Sequence, residues 1–305
     1  MMKWLSLAGL LLCALSLTAQ DAMMTQDVNK NANKKEPPIL GPHWSRDAAH
    51  QRNASSSPDM SYHGGPILPS TTVEAIWWGS SWPSYTGDEI TGMDSWYKAV
   101  GGTSYAATVD EYTDTAGQSV TSSITYQGHV VDGSSVPRHL STSAVLGEVC
   151  KVITKPVANA YYPVYVDKAR GGANYCAYHS WGSCGGTPVE FGFFFKPDGD
   201  AGCNPDSTVA GQSEGLQADA NVSGHELSET RSDPNGNAWY DSSGAENGDK
   251  CAWTFGGPYV LLGSAEWKIQ GNWSNYDYDH NSGYANSSGQ KGCADGTNYP
   301  GPYTH

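Results

Sequence analysis

One run of five residues, His225-Glu226-Leu227-Ser228-Glu229, limits the fold more narrowly than any other part of this 305-residue chain. On an α-helix, residues four apart lie about 40° from each other around the axis, so His225 and Glu229 project from one face with Glu226 beside them. The stretch from Gly215 to Ser232 has the composition for such a helix, and Asp233-Pro234 stops it, because proline clashes with a continuing helical turn. The bland alternative is a pair of solvated helix charges next to a buried, hydrogen-bonded histidine.

Upstream of that helix the pattern alternates. Thr72–Trp78 reads as a β-rich run ended by Gly79, and Asp88–Val100 as a helix. Ser119–Val131 is a loosely alternating strand, Ser141–Ile153 a helix, and Ala160–Val166 and Val189–Lys196 two further strands. Beyond the helix lie irregular segments rich in glycine, asparagine and aromatic residues. The fold class expected is therefore α/β (α+β), with an irregular C-terminal part. Two strand–helix alternations and an extra strand ahead of a His-Glu helix resemble the N-terminal half of zincin metallopeptidases, where a twisted mixed sheet backs the metal-binding helix.

Lys3 followed by an apolar stretch from Leu5 to Leu17 has the layout of a secretory signal peptide, so residues 1–20 are expected to be removed on export. Residues 21–59 are polar, with an Asn/Lys-rich start, Pro37-Pro38 and Ser55-Ser56-Ser57-Pro58, and read as a flexible leader. Residues 60–305 are then a single secreted domain, extracellular or periplasmic, with no later run apolar enough to span a membrane. Six cysteines remain after Cys13 leaves with the signal: Cys150, Cys176, Cys184, Cys203, Cys251 and Cys293. In an exported chain they read as disulfide partners whose pairing the sequence leaves open; no Cys-x-x-Cys pair points to a metal cluster instead.

A net charge of −14 disfavours nucleic acid, whose binding rests on neutralising phosphates, and an anionic membrane surface. Eleven Trp and eighteen Tyr are enough to line a carbohydrate or peptide groove, though core and sheet positions absorb such residues more often.

The chemistry follows from the five-residue run. A divalent metal acidifies water, and a carboxylate beside that water takes the proton; this is the logic of His-Glu-x-x-His zinc sites. Here Glu229 stands where the second histidine would be, which keeps zinc in view and admits a harder metal. The expected ligands are His225, Glu229 and Glu246, with Glu226 as general base. Glu246 lies 17 residues after Glu229, close to the separation at which zincins with a third glutamate ligand supply it. Asp233 and Asp249 are the other acidic candidates, and His63 and His179 are histidines that glycine-containing neighbourhoods let approach. Asp233, Asn235, Asn237 and Asp241 also resemble part of a calcium loop, although the glycine is misplaced and no closing glutamate follows. No Gly-x-Ser-x-Gly elbow and no phosphate-cradling loop is present.

Two stretches resemble one family. Tyr62-His63-Gly64-Gly65-Pro66-Ile67-Leu68 with Ile76-Trp77-Trp78-Gly79, and Gly224 to Glu229 with Asp233-Pro234, Asn237 to Tyr240, Glu246, Gly248-Asp249 and Cys251, are similar to the two signatures of the Exordium-like, phosphate-induced proteins of plants and bacteria. The resemblance implies an extracellular protein and gives weight to His225, Glu226, Glu229, Glu246 and Asp249. Asn247, where an aliphatic residue is expected, and Lys250 depart from the pattern. The leading expectation is a secreted zinc-dependent hydrolase acting on peptide bonds, with an extracellular peptide or cell-wall substrate. The alternative is a non-catalytic extracellular or cell-surface module that binds glycan or protein.

Overall fold

Near-continuous apolar runs are what a parallel sheet buried on both faces requires, and three such runs form the middle of this molecule. The computed structural model describes residues 36–50, 58–205 and 209–301. The expected signal peptide and residues 21–35 of the leader lie outside them. The first half of the described chain runs β1 (Leu40–Trp44), α1 (Arg46–His50), β2 (Ser61–Tyr62), β3 (Thr71–Trp78), α2 (Glu89–Val100), β4 (Ile124–Asp132), α3 (Thr142–Val152) and β5 (Tyr161–Ala169). It continues with β6 (Tyr175–Cys184), β7 (Thr187–Lys196), α4 (Glu214–Ser232), β8 (Trp239–Tyr240), α5 (Asn247–Lys250), β9 (Val260–Leu262), β10 (Ala265–Trp267), β11 (Asn272–Trp273), α6 (Asn275–Asp279) and β12 (Cys293–Ala294).

A six-stranded mixed sheet has the order β1-β6-β7-β5-β3-β4. β4, β3, β5 and β7 are parallel; β6 runs antiparallel to β7, and β1 antiparallel to β6. One face buries Ala75, Trp77, Tyr165 and Phe194 against Met93, Trp96 and Tyr97 of α2 and Leu216, Ala220 and Leu227 of α4. The other buries Ile76, Trp78, Val164, Phe191 and Phe193 against Val145 and Val149 of α3. The fold is thus α+β with a mixed sheet, as the element pattern predicts.

Two differences from the sequence reading matter. Residues 40–50, which composition assigns to a flexible leader, form a strand and a short helix, because the edge of β6 offers backbone partners that make up for a weak local pattern. β6 itself was not expected: its ten residues, YCAYHSWGSC, mix glycine and polar groups without alternation, yet the strand is mostly buried between two neighbours.

All six expected cysteines are paired, as Cys150–Cys184, Cys176–Cys203 and Cys251–Cys293. Such bonds persist in oxidising compartments. No described helix is long and apolar enough to cross a membrane. The segment from Asp233 onward folds over α4 with two two-stranded ladders of its own, a third that pairs β8 with β2, and a small core around Trp273, Tyr284 and the last disulfide.

α4 is the element that positions the site. Ser213 caps it by accepting from Leu216 N at 3.1 Å. Every residue from Gly215 to Ser232 is buried, although more than half of them are polar. A helix buried all round is ordinarily apolar, so these polar groups need partners inside the protein. Ser223 Oγ meets Tyr165 Oη at 2.6 Å, Asn221 Oδ1 accepts from Gln270 N at 2.8 Å, Ser228 Oγ meets Asn272 Oδ1 at 2.7 Å, and Arg231 donates to the carbonyls of Ala106 and Thr121.

Candidate metal centre

The helical spacing brings His225 Nε2 to 3.0 Å from Glu229 Oε1. Glu246 comes from the residue preceding α5, and its Oε2 lies 3.4 Å from Nε2 of His179 on β6. The second oxygen of Glu229 is 3.8 Å from the same His179 nitrogen. Asp249, on α5, places Oδ1 3.8 Å from His225 Nε2. Two groups capable of holding an ion result, His179–Glu229–Glu246 and His225–Glu229–Asp249, with all ligand atoms of each within 4.8 Å of one another. Glu229 belongs to both and offers one oxygen to each side. Tetrahedral ligands about 2.0 Å from zinc lie about 3.3 Å apart, so 3.0–3.8 Å separations are of the right order.

Burial makes the cluster electrostatically unusual. His179, His225, Glu226 and Glu229 are 0% exposed. Burial pushes the Glu226, Glu229 and Glu246 carboxyls well above the usual range, with neighbouring acids adding to the effect. It holds His225 well below an ordinary histidine, brings His43 down to about 4 and His179 down to about 3. Among the described residues no lysine or arginine pairs with Glu226, Glu229 or Glu246. Glu226 Oε2, Glu229 Oε2, Glu246 Oε2 and His225 Nε2 find no hydrogen bond. Isolated buried carboxylates are costly without a cation or donors, and the donor set of carboxylate and imidazole suits zinc or a related divalent ion.

Gln270 fixes the state of His225. Its Oε1 accepts from Trp253 N at 3.1 Å and its Nε2 donates to Gly248 O at 2.9 Å, so the amide cannot be turned over without losing both. The same Nε2 points at His225 Nδ1 from 3.1 Å, which makes Nδ1 an acceptor and leaves the proton on the other ring nitrogen. His179 has no such partner on Nδ1, so its Nε2 is the readier ligand; recruiting His225 Nε2 requires the Gln270 amide to rotate. Oε1 of Gln270 also lies 3.0 Å from His43 Nε2, and the His43 and His225 rings meet edge-on with centroids 4.3 Å apart.

The remaining candidates lie elsewhere or are otherwise engaged. His63 stacks on Tyr240 beside the β2–β8 ladder and belongs to neither group. Asp233 Oδ1 accepts from Asn237 N and Ala238 N, holding the turn after α4. Asp241 accepts from Ser243 and Ala245 and pairs with Lys250 at 3.0 Å. One oxygen of Asp233 and both of Asp241 thus serve turns and the Lys250 pair, and neither residue joins a group of three His, Cys, Asp or Glu among the described residues. Sequence reasoning passed over His43 and Gln270. A neutral amide carries no motif, and His43 sits in a stretch whose composition reads as unstructured.

Comparison with protein-family models, with curated proteins and with solved structures finds no match.

Proposed function

We propose that this chain is a secreted, metal-dependent, zincin-like hydrolase of peptide bonds, and that its two signature stretches reflect kinship with Exordium-like proteins. The observation that carries the hydrolase reading is the buried Glu229 shared between two candidate ligand groups, with Glu226 one residue along the helix from His225. Glu229, His179 and Glu246 would hold the ion, with His225 and Asp249 on its other side. A divalent ion supplies Lewis acidity at such a site. Glu226 keeps Oε2 without a partner, and burial pushes its carboxyl well above the usual carboxylate range, which suits a general acid–base.

A binding module built on exposed aromatics finds less support. Among the described Trp, Tyr and Phe residues, Trp181 alone is exposed, at 41%.

Protein purified without chelator should carry at least one equivalent of divalent metal by mass spectrometry, and Glu229→Ala should carry none. Glu226→Gln should keep the metal while peptide cleavage drops by about 10²- to 10⁴-fold, the range expected for loss of a general base. Wild-type protein free of divalent metal, or a Glu226→Gln chain that cuts as fast as its parent, would overturn the reading.

A further inference from the structure

We infer that the edge of β6 facing away from β7 is a binding site for an extended peptide, and that residues 40–44 of this chain occupy it and hold the candidate site shut. The consequence for catalysis rests on the hydrolase reading above; the binding geometry does not.

β1 is the outermost strand and pairs antiparallel with β6, the strand that carries His179. Leu40 faces His179, His43 faces Ala177 and Trp44 faces Tyr175, with the register broken between the last two pairs and, at Gly41-Pro42, between the first two. That break brings the backbone onto the ligand cluster. Gly41 has φ +42°, and a Cβ built there would lie 1.9 Å from Glu229 Oε2 and 2.7 Å from His179 Nε2. Only glycine passes. Two residues on, His43 N donates to Glu226 Oε1 at 3.3 Å. The backbone of Gly41 therefore lies against the ligand side of the site and a peptide N–H lies at the proposed base, as the backbone of a bound peptide would.

The side chains that follow are seated as a ligand's would be. His43 packs against His225 and Trp253 and meets Gln270, while Trp44 O accepts from Trp253 Nε1 at 2.8 Å. Strand addition of this kind takes its affinity from backbone bonds and its selectivity from alternate side-chain pockets. The residue after Gly41 is Pro42, so the bond nearest the cluster is a tertiary amide with no N–H to offer Glu226. With β1 in place, His179, His225, Glu226 and Glu229 have no exposure to solvent. The ligand class that fits is an extended peptide with glycine at the cluster and an imidazole or aromatic ring two residues later.

The test uses the full chain with residues 51–57 replaced by a recognition sequence for a site-specific protease. The probe is a labelled peptide covering residues 36–47, read by fluorescence anisotropy in chelating buffer, so that neither metal nor turnover enters. Intact chain should bind no probe. Chain cut at the inserted sequence and freed of its N-terminal piece by size exclusion should bind it, and His43→Ala in the probe should weaken binding by about tenfold or more. Should the piece stay bound after cutting, full-length Gly41→Val decides, because its own strand no longer fits and the probe should enter. Failure of both opened forms to bind, with circular dichroism unchanged, overturns the inference, as does equal binding by intact and opened chain. Opened chain, loaded with metal, that binds the probe but cuts no peptide in a library would support the groove while removing the hydrolase reading.

Discussion

Gly248 shows how closely the ligand cluster is built. A Cβ there would lie 2.8 Å from His225 Nδ1 and 2.9 Å from Glu229 Oε1, and neither atom is the loose end of an exposed side chain. Gly248→Ala should therefore displace both ligand residues, lower stability by about 1–3 kcal/mol as overpacking does, and reduce metal content; urea melts and mass spectrometry on the purified variant would show it. A variant with parental stability and full metal content would mean the cluster is looser than these contacts imply. At this scale the sequence was readable where one local rule sufficed. His225 and Glu229 meet because a helix puts them four apart on one face. His179 arrives from a strand without a periodic pattern, and Gln270 from an irregular segment 45 residues past His225; each reaches the site through tertiary placement alone.

Among the elements, β7 carries a testable liability. Glu190 lies in its fully buried middle with Oε2 unbonded, and burial pushes its carboxyl up to about 8. The unfolded chain releases this proton near pH 4.5 and the folded one near 8, so the folded state binds more protons between those values and stability falls as pH rises through that window. A shift of that size corresponds to a few kcal/mol at most. Glu190→Gln should remove this slope and leave the variant more stable than the parent at pH 8.5, as thermal melts from pH 4.5 to 8.5 would reveal; a parallel pair of curves would mean the carboxyl is solvated. The central strands and α2, α3 and α4 were legible because apolar runs and helical spacing are local. β1 was not, since its partner β6 lies more than 100 residues on, and β6 was not, since its ten residues carry no alternation even though β7 follows it directly.

For the molecule as a whole, the Cys251–Cys293 bond spans 42 residues and ties down the segment that delivers Gln270. Replacing both cysteines by alanine should cost about 2–5 kcal/mol and loosen metal retention, measured by urea melts and by ion content after dialysis. Replacing Cys150 and Cys184 instead, on the opposite face of the sheet beside α3, should cost stability and leave ion content unchanged. The pairing of β1 with β6 also sets an order of events in time. Trp44 leaves the ribosome about 130 residues ahead of its partner Tyr175, and closing so distant a contact is slow. Until it closes, every newly made copy presents a bare strand edge, and that edge accepts the same five residues from any neighbour. Refolding at high concentration should accordingly yield exchanged dimers, each copy lending its N-terminal strand to the other, and dilution before refolding should suppress them.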